Sequence, residues 1–316
     1  MKAFTRSTYG GPDVLQLTEV EMPPLKDDHL LVKVKANAPN PADWHMLRGK
    51  PALSRLMFGL FKPKNQLLGA DFAGVVEAVG SQVSHFQVGD QVFGENLAGG
   101  AFAAYTSVAA EACGRMPDGV GFPEMASTPI AAVTALQALI THGKLQPGEA
   151  VLINGASGGV GHFAVQIAKA YGAVVTGVCS ERNRTFVKGL GADHVIAYDQ
   201  ESIHAHPGKY ALVFDTHGNL FLDDFLRMGQ RGVLIGFTTT KHLLRLSLRL
   251  LFNKFPLKQF TARANTQDLE TIADLIHQGK VRPHLEKTYS YQQIPEAIGY
   301  IEAMRTRGKV VMVWEE

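Results

Sequence analysis

The residues best arranged for chemistry lie in Val151–Ala170, which reads VLINGASGGVGHFAVQIAKA. An apolar run leads into a Gly-rich turn, and an amphipathic helical pattern follows it. With Ala156 at the first place and Gly158 and Gly161 at the other two, the turn matches the spacing G-x-G-x-x-G. The first small residue permits a tight turn, Gly158 lets a pyrophosphate approach the backbone, and Gly161 lets the helix lie close on the strand. Free N–H groups at the helix start, aided by its dipole, favour an anion. Gly155, Ser157, Gly158, Gly159, Val160 and Gly161 are therefore candidate phosphate-binding residues. A second group closes the next strand: Val178-Cys179-Ser180-Glu181-Arg182-Asn183-Arg184. An unphosphorylated ribose is gripped by an acidic residue at such a strand end, about 20 residues past the turn. Ser180 occupies that place, and Arg182 and Arg184 follow. A hydroxyl with guanidinium groups suits a 2′-phosphate, so the pattern favours NADPH over NADH. Glu181 is the opposing feature, because by distance alone it reaches the ribose.

These groups need a sheet to hold them. The 316 residues suggest about two domains, on a prior of roughly 150 residues each. Met1–Phe122 is strand-like and punctuated by Gly and Pro. Leu30–Ala36 and Phe72–Val79 alternate as half-buried strands do, and Gln91–Phe93 reads similarly. From Pro123 strands and helices alternate, which implies a parallel sheet. The expected strands are Ala150–Asn154, Val174–Cys179, His194–Tyr198, Leu212–Thr216 and Val233–Phe237. The expected helices between them are His162–Tyr171, Arg182–Leu190 and Leu220–Met228. Arg263–Glu316 holds two helical patterns and a last strand, Lys309–Trp314, expected to return to the first domain's sheet. A formal charge of +2 argues against a nucleic-acid partner. No apolar run approaches the ~18 residues of a membrane span, and MKAFTRSTYGG has no signal-peptide core, so a cytoplasmic protein is expected. Two distant cysteines, Cys113 and Cys179, indicate neither a disulfide framework nor a Cys-based zinc site.

Further segments make the pattern specific: Asn40-Pro41-Ala42-Asp43, Gly69-Ala70-Asp71-Phe72-Ala73-Gly74-Val75-Val76 and Val88-Gly89-Asp90-Gln91-Val92-Phe93-Gly94. Gly100-Ala101-Phe102-Ala103-Ala104-Tyr105, Thr134-Ala135-Leu136-Gln137-Ala138-Leu139, Leu190-Gly191-Ala192-Asp193-His194-Val195-Ile196 and Arg307-Gly308-Lys309-Val310-Val311 extend it along the chain. In order and spacing these resemble the zinc-free medium-chain dehydrogenase/reductases of the quinone oxidoreductase type. The resemblance implies an α/β fold: a Rossmann doubly wound parallel sheet (residues 123–262) plus a GroES-like, mostly-β catalytic domain (1–122, completed by 263–316), with the active site in the cleft between them. Metal-dependent members use a cysteine and a His-Glu pair where this chain has Asn40 and Ala70-Asp71. Its twelve histidines show no H-E-x-x-H spacing, and the pair His204 and His206 reads as an exposed loop. No metal is therefore expected, since a catalytic zinc needs three protein ligands.

Without a Lewis acid, a quinone or an activated alkene is the easier hydride acceptor, and the protein must supply donors to the developing oxyanion. Asn40 is the first donor candidate; capping the helix Pro41–Leu47 is its other reading. His45 stands where several relatives carry a tyrosine, as a proton donor or as an exposed helix histidine. In relatives with the same Cys-Ser strand ending, a tyrosine matching Tyr198 contacts the 2′-phosphate, and Thr134 matches a residue at the nicotinamide end. Gly236 and Phe237 fall at a strand's carboxyl edge, where such sheets bind ligands. Pro51–Pro63 is apolar and suits either a flat hydrophobic acceptor or a small satellite core. Leu243–Phe252 combines leucines with Arg245 and Arg249 at helical spacing, a pattern that can lie on a membrane surface but at this length better suits packing over the cleft or against a second subunit. Relatives pair near Leu257–Thr261, so a homodimer is expected. Alternatives are a nucleotide-binding regulatory protein with little catalysis, or a zinc-free alcohol or ketone dehydrogenase.

Overall fold

A computed structural model describes residues 1–205, 210–236, 246, 248–250 and 253–314. The chain divides into two compact units, one of residues 1–130, 263–277 and 283–316, the other of residues 131–262 and 278–282. The first strands are β1 (Lys2–Thr5), β2 (Gln16–Glu19), β3 (His29–Ala38), β4 (Asp71–Val79), β5 (Gln91–Glu95), β6 (Tyr105–Ala109) and β7 (Cys113–Arg115). Then come β8 (Ala150–Asn154), β9 (Val174–Cys179), β10 (His194–Ala197), β11 (Tyr210–Asp215), β12 (Gly229–Leu234) and β13 (Leu257–Gln259). The last are β14 (Leu285–Ser290) and β15 (Lys309–Val313). The described helices begin with α1 (Pro41–Arg48), α2 (Arg55–Phe58), α3 (Phe122–Ala126), α4 (Pro129–Leu136) and α5 (Gly159–Ala170). They continue with α6 (Arg184–Gly189), α7 (Leu222–Met228), α8 (Thr266–His277) and α9 (Ile294–Glu302).

The first unit is built on a sheet ordered β14-β15-β3-β4-β5-β7, with β6 also on β3. Alternation makes β3 its spine: Leu30, Val32, Val34 and Ala36 are buried, while the intervening Lys33 and Lys35 face the other way and are partly exposed. The late strand β15 returns to this sheet as expected, pairing antiparallel with β3 and parallel with β14. Phe72, Leu30, Leu47, Phe102, Ile298 and Met312 share one core there. Helix α1 starts after Asn40, whose backbone N–H donates to Asp43 Oδ2 at 2.7 Å, with Pro41 at its first turn. Gly49, with φ at 60°, ends it in the left-handed conformation.

The second unit's sheet is wholly parallel, in the order β10-β9-β8-β11-β12-β13. Its inner strands are apolar runs buried on both sides, which is why their positions are readable from sequence. β12 starts and ends earlier than expected. Arg231 fixes that start by donating to the Gly143 and Ala211 carbonyls and pairing with Glu149. Phe237 and most of Leu243–Phe252 lie outside the described residues.

Candidate functional site

The turn after β8 has the geometry that its spacing predicts. The N–H groups of Gly155 and Ala156 both donate to the Val178 carbonyl, at 3.1 and 2.9 Å, which fastens the turn to the end of β9. Gly155 has φ at +80°. A Cβ on Gly161 would lie 2.0 Å from the Gly155 oxygen, so only glycine lets α5 start this close to the strand. A Cβ on Gly158 would meet nothing nearer than that oxygen, at 3.4 Å, leaving the backbone approachable from outside. Gly158 supplies no side chain to cap α5, and the first N–H groups of a helix have no intrahelical partner. The start of α5, including Gly159 and Val160, is therefore an anion cradle that fits a pyrophosphate.

The end of β9 sorts its charges. Arg184 Nε donates to Glu181 Oε2 at 2.7 Å, Nη1 donates to the Val195 carbonyl at 2.9 Å, and Nη2 reaches Glu201. This revises the expectation for Arg184, whose guanidinium is engaged within its own unit and holds Glu181. The carboxylate that argued for NADH is thus neutralised. Arg182 is exposed and has no partner among the described residues. Ser180 is largely buried beside it, and Asn183 Nδ2 donates to Ser157 Oγ at 3.0 Å, tying this segment to the Gly-rich turn. The Tyr198 N–H donates to the Cys179 carbonyl, which sets an exposed phenol next to Ser180 at the same sheet edge. Thr134 is buried in α4. Gly236 is exposed just past β12, and its carbonyl accepts from Gln259 Nε2 at 3.3 Å.

In the first unit, the segments around residues 40 and 70 meet the last strand. Lys309 Nζ donates to Asn40 Oδ1 at 2.6 Å and lies 3.5 Å from Asp71 Oδ2. Asn40 Nδ2 donates to Asp71 Oδ2 at 2.8 Å and to the Ala38 carbonyl at 3.3 Å, and Asp71 Oδ1 accepts from the Ile130 N–H. Asn40 occupies the N-cap position of α1, its N–H answered by Asp43, while its side chain is engaged in this cluster, with neither Nδ2 donor left over for an acceptor. Asp43 on α1 is also fully buried, and Glu95 stands opposite Asp71 in the β4–β5 pair. Burial, then the nearby acids, push Asp43 and Glu95 up to about 7, with hydrogen bonds from the Asn40 and Ala264 N–H groups working against this. Burial also raises Asp71 and lowers Lys309, each opposing the other's change. His45 is exposed on α1, one face stacked on Trp44 at 3.7 Å, and partial burial lowers its pKa.

Lys309 is the residue that sequence reasoning missed. Its signal was a lone lysine opening an apolar strand, KVVMV, just as Asp71 opens DFAGVV. The ammonium sits among the residues that occupy the metal-ligand positions of metal-dependent relatives. A fixed cation bonded to Asn40 and close to Asp71 repels a metal ion, so this donor set does not fit zinc. Among the described residues no group of three or more His, Cys, Asp or Glu side chains is placed to hold a metal. No helix among them is long and apolar enough to cross a membrane.

Two family profiles match the chain, the alcohol dehydrogenase GroES-like domain over residues 26–118 and the zinc-binding dehydrogenase family over residues 190–312. A relative from Spinacia oleracea, named quinone-oxidoreductase homolog, chloroplastic, is 32% identical over 99% of this chain and 98% of its own length. An Arabidopsis thaliana protein named NADPH-dependent alkenal/one oxidoreductase, chloroplastic, is also 32% identical, over 99% of this chain and 79% of its own. The quinone oxidoreductase from Coxiella burnetii superposes with a TM-score of 0.89 at 28% identity, covering 100% of this chain and 99% of the other. With the turn, the parallel sheet and the GroES-like unit in place, the chain belongs to the zinc-free quinone oxidoreductase-like family of the medium-chain dehydrogenase/reductase superfamily.

Proposed function

We propose that this chain reduces quinones or α,β-unsaturated carbonyl compounds with NADPH and without a metal. The observation that carries the reading is at the second sheet's carboxyl edge, where Asn183 ties an uncapped helix start to the segment holding Ser180 and Arg182, Arg182 has no partner among the described residues, and Arg184 neutralises Glu181. The relatives at 32% identity are named for the same cofactor and acceptor classes. NADPH supplies the hydride. The N–H groups of Gly159–Gly161 hold the pyrophosphate, with Gly158 letting it approach and Gly155 and Ser157 shaping the turn. Ser180, Arg182 and Tyr198 hold the 2′-phosphate, Thr134 borders the nicotinamide end, and Gly236 offers a backbone contact at the sheet's carboxyl edge. Asn40, held by Lys309 and Asp71, fixes the start of α1. His45, kept neutral near pH 7 by its lowered pKa, relays a proton from water to the reduced acceptor. In the same reading, residues 1–122 with 263–316 form the catalytic domain and 123–262 the nucleotide domain. The protein is cytoplasmic and pairs as a homodimer through the exposed edge strand β13. The test is NADPH consumption, followed by absorbance, with a quinone, an enone and a saturated aldehyde. Turnover of the first two is expected. Turnover of the aldehyde alone, or NADPH binding with no turnover, overturns the proposal.

A further inference from the structure

The stretch from Trp44 to Ala70 contains five Lys or Arg residues and no Asp or Glu, in a chain whose formal charge is only +2. Arg48 is bonded to Glu302, and Arg55 donates to the Gly49 and Arg48 carbonyls. Lys50, Lys62 and Lys64 are exposed, and their side chains have no hydrogen-bond or ion-pair partner among the described residues. Between these cations, Leu56 is 63% exposed, Phe58 38%, Leu60 53% and Phe61 90%. Phe61 is the most exposed large hydrophobic residue among those described. Neither earlier reading of Pro51–Pro63 accounts for this: a satellite core buries such side chains, and a cleft for a flat acceptor encloses them.

The segment is braced. The Tyr9 hydroxyl donates to the Gly59 carbonyl at 2.7 Å, and the Arg55 guanidinium lies 4.5 Å from the Tyr9 ring centroid. The Lys64 N–H donates to the Phe58 carbonyl at 2.8 Å, closing the turn that carries Leu60 and Phe61. Asn65 Nδ2 donates to the Ala98 carbonyl at the segment's far end. The apolar side chains are thus held outward by a hydrogen-bonded support.

From this juxtaposition we infer that Pro51–Lys64 docks on a bilayer surface bearing anionic lipid headgroups, with Leu60 and Phe61 entering the acyl boundary and Lys62 and Lys64 at the headgroups. Aromatic and leucine side chains beside cations are the pattern of interfacial membrane binding. Cations near an anionic surface add to the affinity, and salt weakens that part. A soluble acidic partner would match the lysines but would need a preformed pocket for the hydrocarbon tip. The inference is independent of the reductase reading.

The test is co-sedimentation of the full chain with phosphatidylcholine vesicles, with and without phosphatidylserine. Binding to the anionic vesicles is expected, about tenfold stronger than to phosphatidylcholine alone and weakened by salt. Leu60→Ser/Phe61→Ser should lower it at least tenfold, and Lys62→Glu/Lys64→Glu should remove the preference for anionic lipid. All four positions are exposed, and circular dichroism with the thermal midpoint checks that the variants fold. No binding to anionic vesicles overturns the proposal, as does binding unaltered by Leu60→Ser/Phe61→Ser. Loss with the charge reversal alone points to an acidic protein and also overturns it. A change of oligomeric state in the serine variant without lipid binding assigns the surface to a second copy, with the same consequence.

Discussion

Replacing Asp43 by Asn tests the buried acid cluster directly. Asn reproduces the shape of the protonated acid and still accepts from the Asn40 N–H. Burial raises Asp43 from 3.8 to about 7. Below about pH 3 both folded and unfolded chains carry a protonated Asp43. As pH rises toward 7 the unfolded chain loses that proton while the folded chain keeps it, so the wild type loses stability that the Asn variant does not lose. Each pKa unit corresponds to about 1.4 kcal/mol, so the full change is about 4 kcal/mol. Between about pH 5 and 7.5 it is about 2–3 kcal/mol. Neutralising residue 43 also relieves Glu95, on which Asp43 acts, and this adds in the same direction. The assay is urea unfolding followed by tryptophan fluorescence. The chain has two tryptophans, Trp44 and Trp314, and both belong to the first unit, so the signal reports on that unit. The stability of Asp43→Asn relative to wild type should climb through this range. A difference independent of pH, or one falling as pH rises, would refute the reasoning.

Lys309→Met leaves Asp71 buried without its cation and should cost about 3–5 kcal/mol, whereas Asp71→Asn/Lys309→Met should recover most of that loss; equal urea midpoints for the single and double variants would contradict the pairing. Gly161→Ala places a methyl against the Gly155 carbonyl, so NADPH affinity by fluorescence titration should drop more than tenfold, while Gly158→Ala should fold normally, with an unchanged melting midpoint. Arg182→Ala should weaken NADPH at least tenfold more than NADH, worth about 1.4 kcal/mol or more. Arg184→Ala should instead lower thermal stability and free Glu181, bringing the two cofactors closer in affinity; equal losses of both cofactors with Arg182→Ala would remove the phosphate assignment.

How far the sequence could be read depended on how local each signal was. The Gly-rich turn, the strands Ala150–Asn154 and Val174–Cys179 and the start of α1 each rest on neighbours within a few residues, and each appears where expected. The start of β12 was not legible, because Gly229-Gln230-Arg231 looks like a polar turn until Arg231 meets Glu149 and distant carbonyls. The state of Arg184 depended on Glu201 and the Val195 carbonyl, which periodicity does not connect to it. The buried cluster was the least legible part. Asp43 reads as a helix-start acid, Asn40 as a cap and Lys309 as an ordinary surface lysine. Only the folded sheet brings residue 309 to residues 40 and 71.

The interior position of β15 bears on how the chain is made. Residues 131–262 leave the ribosome with all their strands in hand and can complete their sheet while synthesis continues. The other sheet must wait for β15, since its edge strand β14 reaches β3 only through that strand. Until then Asn40 and Asp71 have no ammonium to meet, and the Ala36–Asn37 end of β3, beyond the stretch that β6 covers, keeps an open edge.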